Sequence, residues 1–407
     1  MNIRVLAWIV VCVPLAVAQD WGRFKGPDGA GLSGAPSVPV SFTMDDVNWR
    51  VPLPGKGHSS PVIWKGRIFL TCNGAKAGTR SVVCLNAKDG SVRWKREREF
   101  APHAQHRFNS FASSTPVVDA ERVYVVWSTG EQLVATALDH DGKPAWRTEL
   151  GHFSAQHGSG ASPIVVKGVV VIGNDNEGEN SFLVGLDKKT GKEIWRRPRE
   201  SSRASYATPI VRRMKTRVEV LFASTSHGIT SLDPKTGKPN WETGPVFKYR
   251  CVGSPGIADG VLLATAGSGG GGKDSIAYEL PMTAKGKPKE LYRMRRALPY
   301  VPSVLGIGKR FFLFGDGGVL SCIDAKTGDV TWRERVEGSF YSSPVCIGNR
   351  IFAMSRRGAL YVIEAADTFR LLGSVELGDP SSATPAVANG VLYLRTERHL
   401  VSVGGAR

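Results

Sequence analysis

The chain has little cysteine, no long apolar run beyond its first residues and no helical hydrophobic periodicity. Only six of its 407 residues are cysteine. No two cysteines are adjacent, and none has the Cys-x-x-Cys spacing of a zinc ribbon or a haem attachment site. No segment after the N-terminus is long and apolar enough to cross a bilayer as a helix. A Ser-His-Asp set, a nucleophile elbow and nucleic-acid-binding motifs are also absent from the sequence, so we expect no nucleic-acid partner.

Acidic residues are scarce relative to basic ones. The sequence has 53 Lys and Arg against 36 Asp and Glu, a formal net charge of +17. A basic surface favours anionic partners such as lipid headgroups or polyanionic polysaccharide. No Lys or Arg run exceeds a few residues, so the alternative interpretation is that the cations are spread over exposed turns.

The N-terminus predicts a secretory signal peptide over residues 1–18. Arg4 supplies the positive charge, residues 5–13 are apolar, and Ala16-Val17-Ala18 is a small-x-small cleavage site. We therefore expect cleavage after Ala18 and a periplasmic or secreted protein. Five cysteines then remain, an odd number that excludes complete internal pairing, although Cys72 and Cys84 fall on adjacent predicted strands.

One phrase recurs along the chain with a period of roughly 40–50 residues, which is typical of a propeller or solenoid. Its pattern is Leu-Asp-x-x-Thr-Gly-Lys-x-x-Trp, and copies end at Trp94, Trp146, Trp195, Trp241 and Trp332. The Asp and Thr-Gly residues predict a turn between two strands. Because Trp occurs once per unit, we interpret these side chains as packing between neighbouring sheets rather than as a ligand cage.

A second recurring element, Ser or Thr followed by Pro, precedes each phrase and opens a strand, where Pro removes no ladder donor. The copies begin at Ser60, Thr115, Ser162, Thr208, Ser254, Ser303 (with Val304 in place of Pro), Ser343 and Thr384. Each unit thus predicts four short antiparallel strands, and eight units predict an all-β, eight-bladed propeller.

The last unit, residues 383–403, has only three predicted strands. Residues 47–52 resemble the missing Trp strand and include Trp49. We expect them to complete that blade and close the ring, leaving no open sheet edge. The domain organisation predicted is a signal peptide over 1–18, an irregular arm over 19–45 and a propeller over 46–407, which we expect to be monomeric.

The start of each innermost strand faces the axial channel of a propeller, so residues just before the Ser/Thr positions should converge there. They are His58, Asn109, His157, Arg203, Tyr206, Arg250, Tyr300 and Tyr341. This set holds cations, hydrogen-bond donors and aromatic rings but no carboxylate. Such a set suits an anionic, planar ligand; the alternative is a row of solvated loop residues.

Three other segments carry weaker signals. His103, His106 and His157 lie in predicted loops, and their spacing is not that of a metal site. Residues 175–179 form an acidic turn that lacks the pattern of a calcium-binding loop. We interpret this turn as exposed to solvent. The stretch Gly267 to Asp274 nearly matches a phosphate loop, but a predicted strand follows where that motif needs a helix. We assign no metal ligand and no catalytic residue.

The repeat resembles that of pyrroloquinoline-quinone (PQQ)-type β-propellers over nearly all of residues 47–403. The Trp21-Gly-Arg-Phe-Lys-Gly-Pro arm is similar to that of secreted bacterial members. The resemblance implies two kinds of function. Some members are periplasmic quinoprotein dehydrogenases that hold PQQ and Ca²⁺ on the axis, and others, such as the propeller lipoprotein of the outer-membrane assembly machine, are scaffolds without a cofactor.

The motifs of the dehydrogenases are incomplete here. The adjacent cysteines and the Glu-Asn-Asp set that the family places around PQQ and Ca²⁺ have no match in this sequence. We therefore expect a binding or scaffolding module with an unknown protein partner. The alternatives are a PQQ- and Ca²⁺-dependent oxidoreductase of alcohols or sugars, and a binder of an anionic cell-envelope polymer.

Overall fold

The computed structural model describes residues 20–35, 38–74, 78–101, 103, 105–283 and 286–405. The predicted signal peptide lies outside these residues. Apart from one 3₁₀ turn, every named element is a β-strand. The strands form eight antiparallel sheets of four strands each, one of which gains a fifth strand from the arm. This confirms the predicted all-β, eight-bladed propeller.

The blades are numbered here in chain order, each from its innermost to its outermost strand. The strands are Val62–Trp64, Arg67–Asn73, Thr79–Asn86 and Val92–Glu99 in blade 1; Val117–Val118, Arg122–Ser128, Gln132–Asp139 and Pro144–His152 in blade 2; Ile164–Val166, Val169–Asn174, Gly178–Asp187 and Glu193–Ser201 in blade 3; Ile210–Arg213, Val218–Ser224, Gly228–Leu232 and Pro239–Glu242 in blade 4; Gly256–Ala258, Val261–Ser268, Gly271–Glu279 and Lys289–Met294 in blade 5; Leu305–Ile307, Arg310–Phe314, Val319–Asp324 and Val330–Arg335 in blade 6; Val345–Ile347, Arg350–Met354, Ala359–Glu364 and Leu371–Glu376 in blade 7; and Ala386–Ala388, Val391–Arg395, His399–Gly404 and Trp49–Pro52 in blade 8.

The ring closes in blade 8 through a strand from the other end of the chain. Trp49 pairs with Ser402 and Val51 pairs with Leu400 in an antiparallel ladder. The N-terminal strand thus occupies the position predicted for it. Because one blade is built from both ends of the described chain, the ring is held shut by a sheet rather than by a loop.

The Ser and Thr residues before the innermost strands form a belt of hydrogen bonds around the axis. The backbone N–H of each donates to the side-chain hydroxyl of the next at seven blade boundaries, over 2.9–3.3 Å. The bond from Thr384 to Ser60 connects blade 8 to blade 1. Seven of the eight hydroxyls accept such a bond, which explains the recurrence of Ser and Thr there.

The repeated Trp residues contact the turn of the following blade. The Trp195 indole donates to the Pro234 carbonyl over 3.0 Å and packs on Gly237, where an added Cβ would lie 2.4 Å from the ring. Gly237 has φ +67°, which glycine adopts without strain. The same donation is made by Trp49, Trp94, Trp146 and Trp332. The Trp of one blade therefore contacts the Thr-Gly turn of the next blade, which explains why both recur in the repeat.

The arm, which contains one 3₁₀ turn and one two-residue strand, crosses the axis. Trp21 is fully buried and pairs with Ile63 of blade 1. Further along the arm, the strand Leu32–Ser33 runs parallel to the innermost strand of blade 7. Between them, Arg23 donates to the Pro209 carbonyl of blade 4 and Lys25 to the Val304 carbonyl at blade 6. The arm therefore connects distant blades along one end of the channel.

The five described cysteines are all free and buried. Cys72 lies opposite Ser81 and Cys84 lies opposite Phe69. The two thiols are therefore out of register on adjacent strands, and the hairpin does not join them in a disulfide.

Candidate functional site

A cavity of about 640 Å³ opens on the axis where the chain enters the innermost strands. This volume falls within the range of small-molecule sites. Seven of the eight residues predicted at the axis line it: His58, Asn109, His157, Tyr206, Arg250, Tyr300 and Tyr341. The eighth, Arg203, is exposed and is not among the lining residues.

The inner part of this axial pocket is lined by the hydroxyl belt and the arm. All eight Ser and Thr residues of the belt are lining residues, and Phe24 of the arm joins them. In the belt bonds each hydroxyl oxygen accepts a backbone N–H. A hydroxyl used in this way retains its own hydrogen for donation. The inner wall is therefore rich in hydrogen-bond donors.

The rim is formed by stacked rings and guanidinium groups. The loop before blade 2 carries Phe108 across the opening to Tyr341 of blade 7, with ring centroids 5.9 Å apart. The Arg356 guanidinium lies 4.0 Å from the Phe108 centroid and 4.6 Å from that of Tyr341. Arg107 lies 4.5 Å from the Phe108 ring. This rim combines positive charge with flat apolar surface.

The wall beside blades 3 to 5 contains an ion pair. The Arg250 guanidinium binds the Glu177 carboxylate through one terminal nitrogen. Glu177 belongs to the acidic turn predicted to be solvated, and that prediction is wrong for its first residues. Asp175 binds Arg199 over 2.7 Å with both side chains almost fully buried, and Asn176 has no exposed surface. Their polar side chains are partnered inside the blade, which is why the start of the turn is buried, while Glu179 is exposed.

Burial sets the protonation of several groups around the pocket. Burial and, next, the nearby Arg395 charge lower the pKa of His58 to about 4, so His58 is neutral at neutral pH. Burial also lowers the pKa of His157, with Arg250 as the next cause. Asp316 accepts bonds from the backbone N–H groups of Tyr300 and Val301, but burial still raises its pKa to about 6.

The lining fits the anionic part of PQQ better than it fits Ca²⁺. Arg107 at the rim suits the carboxylates of PQQ. Calcium needs six to eight oxygen ligands, several of them carboxylates. The lining residues include no Asp or Glu, and the described part of the chain contains no group of three or more His, Cys, Asp or Glu placed to hold a metal. The His103 and His106 side chains instead pack against Phe111 and Phe108.

Sequence reasoning missed the contributors that come from loops and from the arm. Phe24, His106, Arg107 and Phe108 line the pocket, and Arg356 stacks on its rim. The aromatic arm and the length of the loop at 100–112 were visible signals. The glycine-rich segment also reaches the pocket, because Gly269 and Gly270 form a tight turn between two strands of blade 5. The strand expected after this near-match to a phosphate loop is present.

The family model that matches this chain is described as outer membrane protein assembly factor BamB. It covers residues 43–251 and 301–371, more than half of the chain and most of the propeller. A curated relative, polyvinylalcohol dehydrogenase from Pseudomonas sp., is 24% identical over 204 residues. That alignment spans 45% of this chain and only 30% of the enzyme.

Solved structures with the same fold include a BamB protein and an alcohol dehydrogenase. BamB from Moraxella catarrhalis superposes with a TM-score of 0.65 at 18% identity, covering 88% of this chain and 97% of that one. Quinohemoprotein alcohol dehydrogenase from Comamonas testosteroni gives 0.66 at 15% identity, covering 96% and 81%. At such identities the likeness establishes the propeller fold. In the described residues no helix is long and apolar enough to span a membrane.

Proposed function

Because the chain belongs to the family described as outer membrane protein assembly factor BamB, we propose that it is a periplasmic or secreted binding or scaffolding module that catalyses no reaction. The axial pocket and its rim are the contact site in this proposal. The observation that carries it is the chemistry of the lining, which offers donors, guanidinium groups and rings but no Asp or Glu.

A lining of this kind can bind a ligand, but it offers no Asp or Glu as an acid–base group for a reaction. General acid–base catalysis needs a group whose pKa lies near the working pH. The pKa of His58 is far below neutrality. Asp316, whose pKa is raised to about 6, is buried and is not among the lining residues. The partner that the rim suits is a protein segment or envelope ligand with acidic groups, because Arg107 and Arg356 present their positive charge against aromatic faces.

Reconstitution tests the non-catalytic proposal directly. The purified protein is incubated with PQQ and Ca²⁺ and assayed for dye reduction with a panel of alcohols and sugars. We expect no turnover above that of PQQ alone. Substrate-dependent dye reduction that is lost when PQQ is omitted would overturn the proposal.

A second candidate function is a PQQ-dependent oxidoreductase of alcohols or sugars. The observation that favours it is the partial alignment with polyvinylalcohol dehydrogenase. In that case Arg107 and Arg356 at the rim would hold the carboxylates of PQQ, which would supply the redox chemistry. Calorimetric titration with PQQ in the presence of Ca²⁺ tests it, and the absence of any heat of binding eliminates this candidate.

A third candidate is the binding of an anionic cell-envelope polymer, favoured by the net charge of +17. Exposed lysines in the turns of blades 3 and 4, such as Lys167, Lys189 and Lys235, supply part of this charge. Attraction between exposed charges is screened within about 8 Å at physiological ionic strength. Binding to lipopolysaccharide or teichoic acid should therefore weaken steeply between low and moderate salt, and salt-insensitive or absent binding rules this candidate out.

A further inference from the structure

The two ends of the ring are formed by different turns. Blades 1 to 7 are antiparallel sheets whose four repeat strands follow chain order. The first and third turns of a blade therefore lie at one end of the ring, and the second turn lies at the other end. The axial pocket opens where the chain enters the innermost strands, which is the end of the second turns. The first and third turns form the opposite face, which we call the turn face.

The turn face is strongly basic in blades 3 and 4. Its four turns in these blades are residues 167–168, 188–192, 214–217 and 233–238. They contain eight Lys and Arg residues and a single acidic residue, Asp233. The second turns of the same blades, residues 175–177 and 225–227, contain no Lys or Arg. The turns of this part of the ring thus carry their positive charge at the end away from the pocket.

Six of these cations have exposed side chains that form no ion pair in the described part of the chain. They are Lys167, Lys189, Lys192, Lys215, Lys235 and Lys238. Lys188 and Arg217 are instead paired with carboxylates. The carboxylates beside the turns, Asp187 and Asp233, accept backbone N–H groups of their own turns. The six ammonium groups therefore remain available to an anionic partner.

The exposed apolar side chains lie on the same face. Among the described residues seven large apolar side chains are exposed, and six of them belong to a third turn or to the first two residues after one. These six are Val92, Ile194, Met282, Val330, Leu371 and Leu372. Ile194 follows Lys192 by two residues, and its side chain is 48% exposed. The side chain of Met282 is 75% exposed, and its sulfur lies 3.4 Å from the guanidinium of Arg212, just before the turn that carries Lys215.

Cations and apolar side chains on one face favour a membrane over a soluble polyanion. Lysines near a bilayer that contains anionic lipids are attracted to its headgroups. Exposed apolar side chains gain free energy when they enter the boundary between headgroups and acyl chains. A soluble polyanion offers partners for the lysines alone and leaves Ile194 and Met282 in water. An anionic membrane surface offers partners for both kinds of side chain.

We propose that the turn face of blades 3 and 4 binds the surface of an anionic membrane, with Ile194 and Met282 entering the headgroup layer. The mouth of the axial pocket then points away from the membrane and stays open to its own partner. The inference goes beyond the proposed function, since none of these turn-face residues lines the pocket. It rests on the proposed function only for the location of the protein at the cell envelope.

Cosedimentation with vesicles tests the role of the lysines. The probes are vesicles of mixed phosphatidylglycerol and phosphatidylcholine, and vesicles of phosphatidylcholine alone. We expect the protein to bind the first and not the second. The triple substitution Lys189→Gln, Lys235→Gln and Lys238→Gln should weaken this binding by about tenfold or more, because each lysine adds to the attraction.

A matched control removes the same charge from the end that carries the pocket mouth. Lys56, Lys248 and Lys273 are exposed there, and changing all three to Gln should leave most of the affinity, since charges far from the membrane are screened at physiological ionic strength. Equal losses for the two triple variants would show that net charge acts without a preferred face, and the proposal would be wrong.

A fluorescent label at Met282 tests the apolar contact and the orientation. The five described cysteines are buried, so an environment-sensitive thiol dye reacts with Met282→Cys. We expect its emission to shift to the blue when phosphatidylglycerol vesicles are added. The same dye on Lys273→Cys, at the opposite end of the ring, should show no shift. An unshifted dye at Met282→Cys, on protein that cosediments with the vesicles, overturns the proposed contact.

A soluble polyanion separates the membrane from the polymer. Dextran sulfate is titrated in place of the vesicles. Binding to dextran sulfate without binding to phosphatidylglycerol vesicles overturns the membrane proposal and supports the anionic polymer as the partner. Binding to neither probe also overturns it. The non-catalytic proposal for the pocket fails on a different result, which is substrate-dependent dye reduction with PQQ and Ca²⁺.

Discussion

Buried cations are the least expected residues of this protein, and Lys25 is the clearest case. Its side chain is 1% exposed, and its ammonium donates to the Val304 carbonyl over 2.9 Å. Burial lowers its pKa from 10.5 to about 7, and the charge of Arg23 adds to the effect. A lysine in this position is costly to keep charged, so its protonation is linked to the stability of the fold.

The stability of the protein should therefore depend on pH through Lys25. Between pH 7 and 10.5 the unfolded chain binds the proton and the folded protein does not, so the free energy of unfolding rises with pH in this window. Below pH 7 both states are protonated and the full cost of the buried charge is present. Lys25→Met should raise Tm at pH 6, and this gain should shrink as the pH approaches 9.5.

Thermal unfolding of both proteins at several pH values measures this linkage. Lys189→Met, which alters an exposed lysine, is the control and should have no pH-dependent effect. A constant difference in Tm between Lys25→Met and the unaltered protein across pH 6–9.5 would show that Lys25 is charged in the folded state throughout.

Two buried arginines illustrate why such residues escape sequence reasoning. Arg80 lies between Phe100 and Phe111, about equally far from both rings, at 4.5 and 4.6 Å. Arg395 is 1% exposed and donates to the Ser59 carbonyl over 2.8 Å. Arginine is mostly exposed in proteins. Its burial here depends on rings and carbonyl groups brought from other parts of the chain.

At the scale of a structural element, the contact that recurs around the ring is between the Trp on the outermost strand of one blade and a turn of the next blade. The Trp195 indole uses both its face, on Gly237, and its N–H, on Pro234. Trp241 in the next blade is equally buried, at 6% against 9% exposure. Its Nε1 has no partner among the described residues, since blade 5 lacks the Asp-x-x-Thr-Gly turn.

This difference predicts unequal costs for the same substitution in adjacent blades. Trp195→Phe removes a hydrogen bond to a carbonyl as well as ring volume. Trp241→Phe removes ring volume and an indole N–H that has no partner in the described part of the chain. We expect the first to lower the free energy of unfolding by about 1 kcal/mol more than the second. Urea unfolding of the two variants measures it, and equal losses would mean that the indole bond contributes nothing.

The hydroxyl belt makes a second prediction at this scale. Ser60→Ala deprives the buried Thr384 N–H of its acceptor, which should cost about 1–3 kcal/mol. Ser374→Ala, at an exposed position of blade 7, should change stability by no more than about 0.5 kcal/mol. If both substitutions proved equally mild in urea unfolding, a water molecule would be replacing the hydroxyl.

At the scale of the whole molecule, the arm connects blades that are far apart in the ring, in addition to the strand that closes blade 8. It reaches blades 1, 2, 4, 6 and 7 through Trp21, Gly22, Arg23, Lys25 and Leu32. The contact from Arg23 to Pro209 joins residues 186 positions apart. Such contacts stabilise the ring without belonging to any of its repeats.

Removal of the arm should therefore weaken the ring without unfolding it. We expect a chain that begins at Gly34 to unfold at a lower Tm than a chain that begins at Asp20, because it loses the fully buried Trp21 and the contacts to five blades. A synthetic peptide of residues 20–33 added in excess should restore part of the difference. An unchanged Tm would show that the arm only rests on the propeller.

The sequence by itself determined the architecture of this protein. Blade number, strand order, the closing strand at Trp49 and the Trp positions follow from short patterns that recur with a fixed period, because strand alternation and turn chemistry act over a few residues. Seven of the eight axial residues could be placed for the same reason, since each lies shortly before the Ser or Thr that opens an innermost strand.

Only the tertiary structure decided what surrounds those residues. It brings Phe108 from the loop before blade 2 to Tyr341 of blade 7 and pairs Glu177 with Arg250. It also leaves Arg203 outside the pocket lining and places Phe24 within it. These contacts join segments that differ from the repeat and lie far apart in sequence. Their partners depend on how the ring closes in space, and no local pattern encodes that.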